Sequence, residues 1–209
     1  MRGGVIAFTC ALLFASAALG ADSPVPAIAD DEEYAVFAAV LFPQLPDVPD
    51  GGESRELFLA RHRDRVRLDG FLAPAYTIAE GTDAGSPLTA RNDPEGPDPA
   101  LIADYNGKNR APHRIDGEKL ARMVPAGRVK LAPHSERARL FPGGRGAGLP
   151  DASLVWLSRV GFNADRTRAA VHVACRTGQE MGVAYLVLLH KSAKTGQWVL
   201  SSTTMTRVY

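Results

Sequence analysis

A histidine and a cysteine three residues apart, His172 and Cys175 in "AAVHVAC", are the letters of a thiol nucleophile and its base. That chemistry needs the imidazole within hydrogen-bond reach of the sulfur. The stretch reads as a strand, on which residues three apart point to opposite faces. An apolar surrounding also keeps a thiol protonated, so Cys175 reads as an inert buried thiol. His172 and Tyr185 are the better pair. Setting Cys175 opposite Ala184 across a hairpin puts Val173 opposite Leu186, Val171 opposite Leu188 and Ala169 opposite His190. Val171, Val173, Cys175, Ala184, Leu186 and Leu188 then share one face, and Ala170, His172, Ala174, Tyr185, Val187 and Leu189 share the other. In that register His172 and Tyr185 lie diagonally within reach and are the candidate ligand-binding residues. A one-residue slip would exchange the faces of one strand. The competing reading is a His and a Tyr at the rim of the core, bonded to backbone.

Metal chemistry finds no such pattern. His62, His113, His134, His172 and His190 are scattered, with no HxH, HExxH or CxxC spacing. Cys175 and Met181 flank a Gly-containing loop and are soft enough for Cu(I), but two soft ligands from one loop make a weak site. No metal and no cofactor is expected. "GGRGAG" lacks the strand before and the helix after that a phosphate loop requires, and no GxSxG is present. The basic run "ARHRDRVR", 60–67, suits an anionic surface, yet no aromatics interleave to stack on bases. A formal net charge of +1 likewise argues against a nucleic-acid partner.

The elements that must position these residues follow from periodicity. "DDEEYAVFAAVLF" predicts a helix capped by Asp30 or Asp31, its acids facing the positive end of the helix dipole, with Tyr34, Phe37, Ala38 and Leu41 on one stripe. "YTIAEGT" predicts a strand, and "PDPALIADYNGKN" a helix with Pro99 in its first turn. "IDGEKLARMV" suggests a short helix and "RVKLA" a short strand. From Ser153 onward "SLVWLSRVGF", "AAVHVAC", "AYLVLLHK" and "WVLSSTTM" read as four successive antiparallel strands. The polar knot "NADRTR" is the reversal between the first two, with Asn163 and Asp165 bonding nearby backbone. The expected fold is α+β: N-terminal and middle helices packed on a C-terminal four-stranded antiparallel β-meander. Flexible loops are expected near 83–99 and 142–150, where Pro and Gly crowd together.

The first twenty residues carry one charge, Arg2, then an apolar run from Val5 to Leu19 and the small-x-small Ala18-Leu19-Gly20. They read as a signal peptide, 1–20, leaving one domain, 21–209, that is exported to the periplasm or beyond and spans no membrane. Cys175 is then the sole cysteine, so no internal disulfide is expected. Between Ala21 and Phe58 stand nine acids and one base, Arg55, a local net charge of −8. This is either an arm for a cationic partner or a face that folds back on the basic remainder.

"LSRVGFNADRTRAAVHV", "GVAYLVLLHK" and "GQWVL" resemble the ending of an uncharacterised family of bacterial exported proteins, with its Ser-x-Val-Gly-Phe-Asn turn, Tyr-x-x-Leu-x-Lys strand and Gly-x-Trp strand. "YAVFAAVL", "YTIAEGT" and "LIADYNGKN" resemble that family's N-terminal helix, first strand and middle helix. Met181 stands about where relatives often carry a second cysteine, so the disulfide the resemblance implies is lost, and His190 replaces an expected acid. The ending is superficially similar to NTF2-like and cystatin-like domains. The resemblance implies a fold and carries no activity.

Two functions follow. The first is a non-catalytic binding or interaction module of the cell envelope, whose partner is an envelope protein or a small ligand. The second is a small hydrolase-like enzyme with His172 as base and Tyr185 or Ser158 nearby. It requires an open cavity on the His172 face and a third polar group turned toward the ring.

Overall fold

The computed structural model describes residues 25–42, 76–83, 85–92, 96, 98–133, 153–177 and 181–208. The signal segment 1–20, the basic run 60–67, the joint 142–150, His62 and His134 lie outside them.

Among the described residues, three α-helices form where the caps and apolar spacing put them. Helix α1 (Asp31–Leu41) starts at Asp30, whose carboxylate accepts from Glu32 N at 3.0 Å, and its first turn is acidic. Its buried stripe carries Tyr34, Val36, Phe37, Val40 and Leu41. Helix α2 (Pro99–Lys108) begins with Pro99 behind the cap Asp98, which accepts from Ala100 and Leu101 N at 3.1 Å. Asn106 and Gly107 do not end it. Helix α3 (Gly117–Met123) is capped by Asp116. The Tyr34 hydroxyl accepts from Asp116 N at 2.9 Å and donates to Ile28 O at 3.2 Å, which ties α3 to α1.

The strands are β1 (Tyr76–Ala79), β2 (Val129–Ala132), β3 (Ser153–Leu157), β4 (Gly161–Phe162), β5 (Arg168–Thr177), β6 (Met181–Lys191) and β7 (Trp198–Val208). They form one sheet in the order β2-β1-β3-β5-β6-β7, with β4 paired to β5. The β5-β6-β7 part is the predicted antiparallel run. The sheet as a whole corrects the expected four-stranded meander. β1 is parallel to both β2 and β3, so the sheet is mixed and seven-stranded. The predicted strand "SLVWLSRVGF" is also two strands. It breaks at Ser158–Val160, where Ser158 N still donates to His172 O at 2.9 Å while the Arg159 side chain turns to α1.

Alternation then sorts the core onto two faces. On the first, α1 covers Val171, Val173, Val187, Leu189, Trp198 and Leu200. On the second, Leu101 and Tyr105 of α2, with Leu88, cover Ala170, Leu186 and Leu188. The "NADRTR" bend is the predicted reversal: Asn163 Oδ1 accepts from the amides of Thr167 (2.9 Å) and Arg168 (2.8 Å). Its left-handed residue is Arg166, at φ 56°. A non-glycine residue there is strained. The Arg166 guanidinium pairs with Asp30 and lies 4.4 Å from the Phe162 ring centre. Within 83–99, Leu88 exchanges two hydrogen bonds with the Asn106 side chain of α2, at 3.0 and 2.9 Å.

Candidate functional site

The β5–β6 register is Cys175 opposite Val183, Ala174 opposite Ala184, Val173 opposite Tyr185 and His172 opposite Leu186. This is one residue off the expected pairing. Thr177 pairs with Met181, so Met181 begins β6 instead of sitting in a loop. The slip puts Tyr185 on the face covered by α1, with Val173 and Val187, and leaves His172 on the α2 face. The two candidates are therefore on opposite sides of the sheet. His172 is 3% exposed and Tyr185 7%. Ser158 is on the His172 side, but its hydroxyl accepts from the His172 amide N–H at 2.8 Å, donates to Arg159 O and faces the Tyr105 phenol, so it makes no bond to the imidazole ring. Cys175 is a buried thiol on the face opposite His172. His113 and His190 stand apart from it, and no group of three or more His, Cys, Asp or Glu suited to a metal occurs among the described residues.

The four described acids of the N-terminal stretch, Asp30 to Glu33, fold back on the basic remainder. Four consecutive carboxylates reach four different bases. Asp30 pairs with Arg166, Asp31 with Lys119 (2.6 Å), Glu32 with Lys191 (2.7 Å) and Glu33 with Arg159 (2.9 Å from Nε to Oε2). Helical geometry spreads successive side chains about 100° apart, so one short run touches the bend, α3, the β6–β7 hairpin and the β3–β4 link. The outer pairs are partly to largely exposed, so water screens them and each adds little. Glu33 is different. Its side chain is fully buried and also accepts from Val160 N at 3.1 Å. Burial raises the Glu32 carboxyl, but hydrogen bonds from Lys191 and Trp198 and the charges of Lys191 and Arg166 hold it below its usual value. Its contribution is complete above about 4.5, the usual value, and is lost as pH falls through the depressed one.

Beside this clasp runs an open groove of about 520 Å³ between α1, the end of α3 and the β6–β7 hairpin. Ala35, Ala38 and Ala39 make its floor, at helical spacing and without bulk. Phe42, Trp198 and Met123 make its walls. Met123 is 46% exposed although it is large and apolar. Glu32 and Lys191 close one end, and the Trp198 indole is fixed by donating to Glu32 Oε1 at 2.8 Å. The Phe42 ring is held edge-on to Tyr76 at 5.4 Å and carries Arg128 over its face.

No family model, curated protein or solved structure matches this chain. The likeness to exported proteins rests on the residues quoted for it alone.

The groove was not visible in the sequence as a site. Its one local signal is A-x-x-A-A within the α1 stretch; Ala38, expected on the buried stripe with Tyr34 and Phe37, sits half-exposed at the groove instead. Trp198 and Met123 join it only through tertiary packing.

Proposed function

We propose that this chain is a non-catalytic, exported binding module that takes a small apolar ligand in the α1 groove. The observation that carries the reading is the groove itself. Its volume falls within the roughly 300–1,000 Å³ of small-molecule sites, and its lining is mainly apolar, with Gln197 and the Glu32–Lys191 pair as the polar groups that orient a guest. Export is supported by the apolar run 5–19 and the small residues before Ala21. N-terminal sequencing of the mature chain would then begin at Ala21, and an uncleaved Met1 would contradict this part. The enzyme reading asked for His172 and Tyr185 in one open cavity. Their opposite faces and burial weigh toward binding.

The test uses N-phenyl-1-naphthylamine, an uncharged fluorophore that brightens in apolar surroundings. The native chain is expected to bind one probe saturably. Ala38→Phe fills the floor from a half-exposed position and should weaken binding at least tenfold while leaving the melting temperature nearly unchanged. Equal binding by both proteins, or none by either, would remove the groove from the account.

A further inference from the structure

One nitrogen of the His172 ring has a partner and the other does not. Nε2 lies 3.0 Å from Thr206 Oγ1, and that hydroxyl donates to Ala184 O at 3.2 Å. The hydroxyl therefore accepts from the ring. This places the ring proton on Nε2 and leaves Nδ1 a bare acceptor. Nδ1 is buried and has no hydrogen-bond partner among the described residues. Thr206 reaches the ring because β7 bulges there: Arg207 pairs with Ala184 and Met205 with Tyr185, so Thr206 is the extra residue. Bulges characteristically re-aim a side chain in this way.

The segment Gly85–Leu88 lies directly on the ring. A Cβ at Gly85 would come within 2.8 Å of both His172 Cβ and Tyr105 Oη, and Gly85 has φ +65°, so only glycine fits. Tyr105 donates to Ser86 O at 3.3 Å, and Leu88 is held by Asn106. The charged and titratable groups facing the ring are few. Asp83 lies just before the segment, Arg207 is on β7, and α2 gives the Tyr105 phenol, which burial pushes up to about 12. β6 presents Ala184 and Leu186, and the β3–β4 link presents the Ser158 hydroxyl. Burial lowers the His172 pKa, the Asp83 charge opposes this, Arg207 adds to it, and the ring sits below its usual 6.5.

We propose that His172 is an acid-sensitive latch: a proton on Nδ1 expels Gly85–Leu88 from the sheet and opens the ring to water. The added N–H has no acceptor among the described residues, and the closed segment leaves the charged ring buried, with His172 3% exposed. The sign follows from linkage. The closed form binds the proton less well than the open form, whose ring titrates near 6.5. Closure is therefore complete above about 6.5 and weakens as pH falls toward the depressed value.

Amide hydrogen exchange of the whole chain, expressed as protection factors between pH 7.5 and 5, tests this. The amides of Asp83 (bonded to Leu157 O) and Leu88 (bonded to Asn106) should lose protection as pH falls below about 6.5, by at most about tenfold per pH unit and levelling off below the depressed value. Val171 and Val187 in the sheet should keep theirs. In His172→Gln, which can still donate to Thr206, the loss should vanish. The His172 Cε1 proton signal of the native chain gives a check free of any variant, with an expected midpoint below 6.5. Flat protection at Asp83 and Leu88, the same loss in His172→Gln, parallel loss across the sheet, or a ring titrating at or above 6.5 would each overturn the latch.

Discussion

Glu33→Gln is expected to destabilise the protein by about 3–5 kcal/mol, the cost of breaking a buried ion pair from one side. Glutamine keeps the shape and leaves Arg159 without its counter-charge. It also opposes an amide NH2 to a donor: placed at Oε1 it costs the Arg159 guanidinium an acceptor, and placed at Oε2 it costs both Arg159 Nε and the Val160 N–H theirs. Lys108, 4.0 Å from the same carboxylate and bonded to Val160 O at 3.2 Å, keeps its own counter-charge in Asp104 at 2.8 Å, so the loss falls on Arg159. Glu32→Gln is the matched comparison. That side chain is about one-quarter exposed, so its loss should cost roughly 1 kcal/mol or less. Urea midpoints of the two variants should differ clearly at similar m-values. Equal and small losses would mean that the Glu33–Arg159 pair adds nothing beyond a surface pair.

Gly161→Ala is the second large effect. Helix α2 crosses β4 so closely that a Cβ at 161 would sit 2.3 Å from Tyr105 Cβ, 2.5 Å from its Cα and 2.7 Å from its N. Two of these atoms are backbone, so no rotamer change relieves the clash and the helix must move. Overpacking usually costs about 1–3 kcal/mol, and a displaced helix puts this case at roughly 3 kcal/mol or more. Gly107→Ala is the control, since nothing lies within 4 Å of its Cβ and α2 gains from alanine's helix propensity. Thermal melts that rank the two variants the other way would contradict the packing described for α2.

Local signals in the sequence were legible where one residue type does one job. Asp30, Asp98 and Asp116 cap helices, Pro99 opens α2, and Asn163 and Asp165 organise the bend, all from short-range chemistry. What depends on distant chain was not legible. β1 pairs in parallel with strands 53 and 77 residues further along, and nothing in "YTIA" encodes that partner. The His172–Tyr185 face failed for a narrower reason. Three residues separate Thr177 from Met181, and a pairing of Cys175 with Ala184 needs an even number in that loop. A period of two turns such an error into a change of face. The break at Ser158–Val160 was hidden because Val160 is as apolar as its neighbours. It exists to deliver Arg159 to Glu33, a partner 126 residues earlier.

The most direct test of the binding module uses Trp198 as the reporter. In Trp156→Phe the only tryptophan is the groove wall, and its emission should transfer to bound N-phenyl-1-naphthylamine. Saturable quenching of Trp198 at one probe per chain, abolished by Ala38→Phe, is the result the groove predicts. Probe fluorescence that rises with no quenching of Trp198, or quenching that survives Ala38→Phe, would place the apolar site elsewhere and contradict the proposed function.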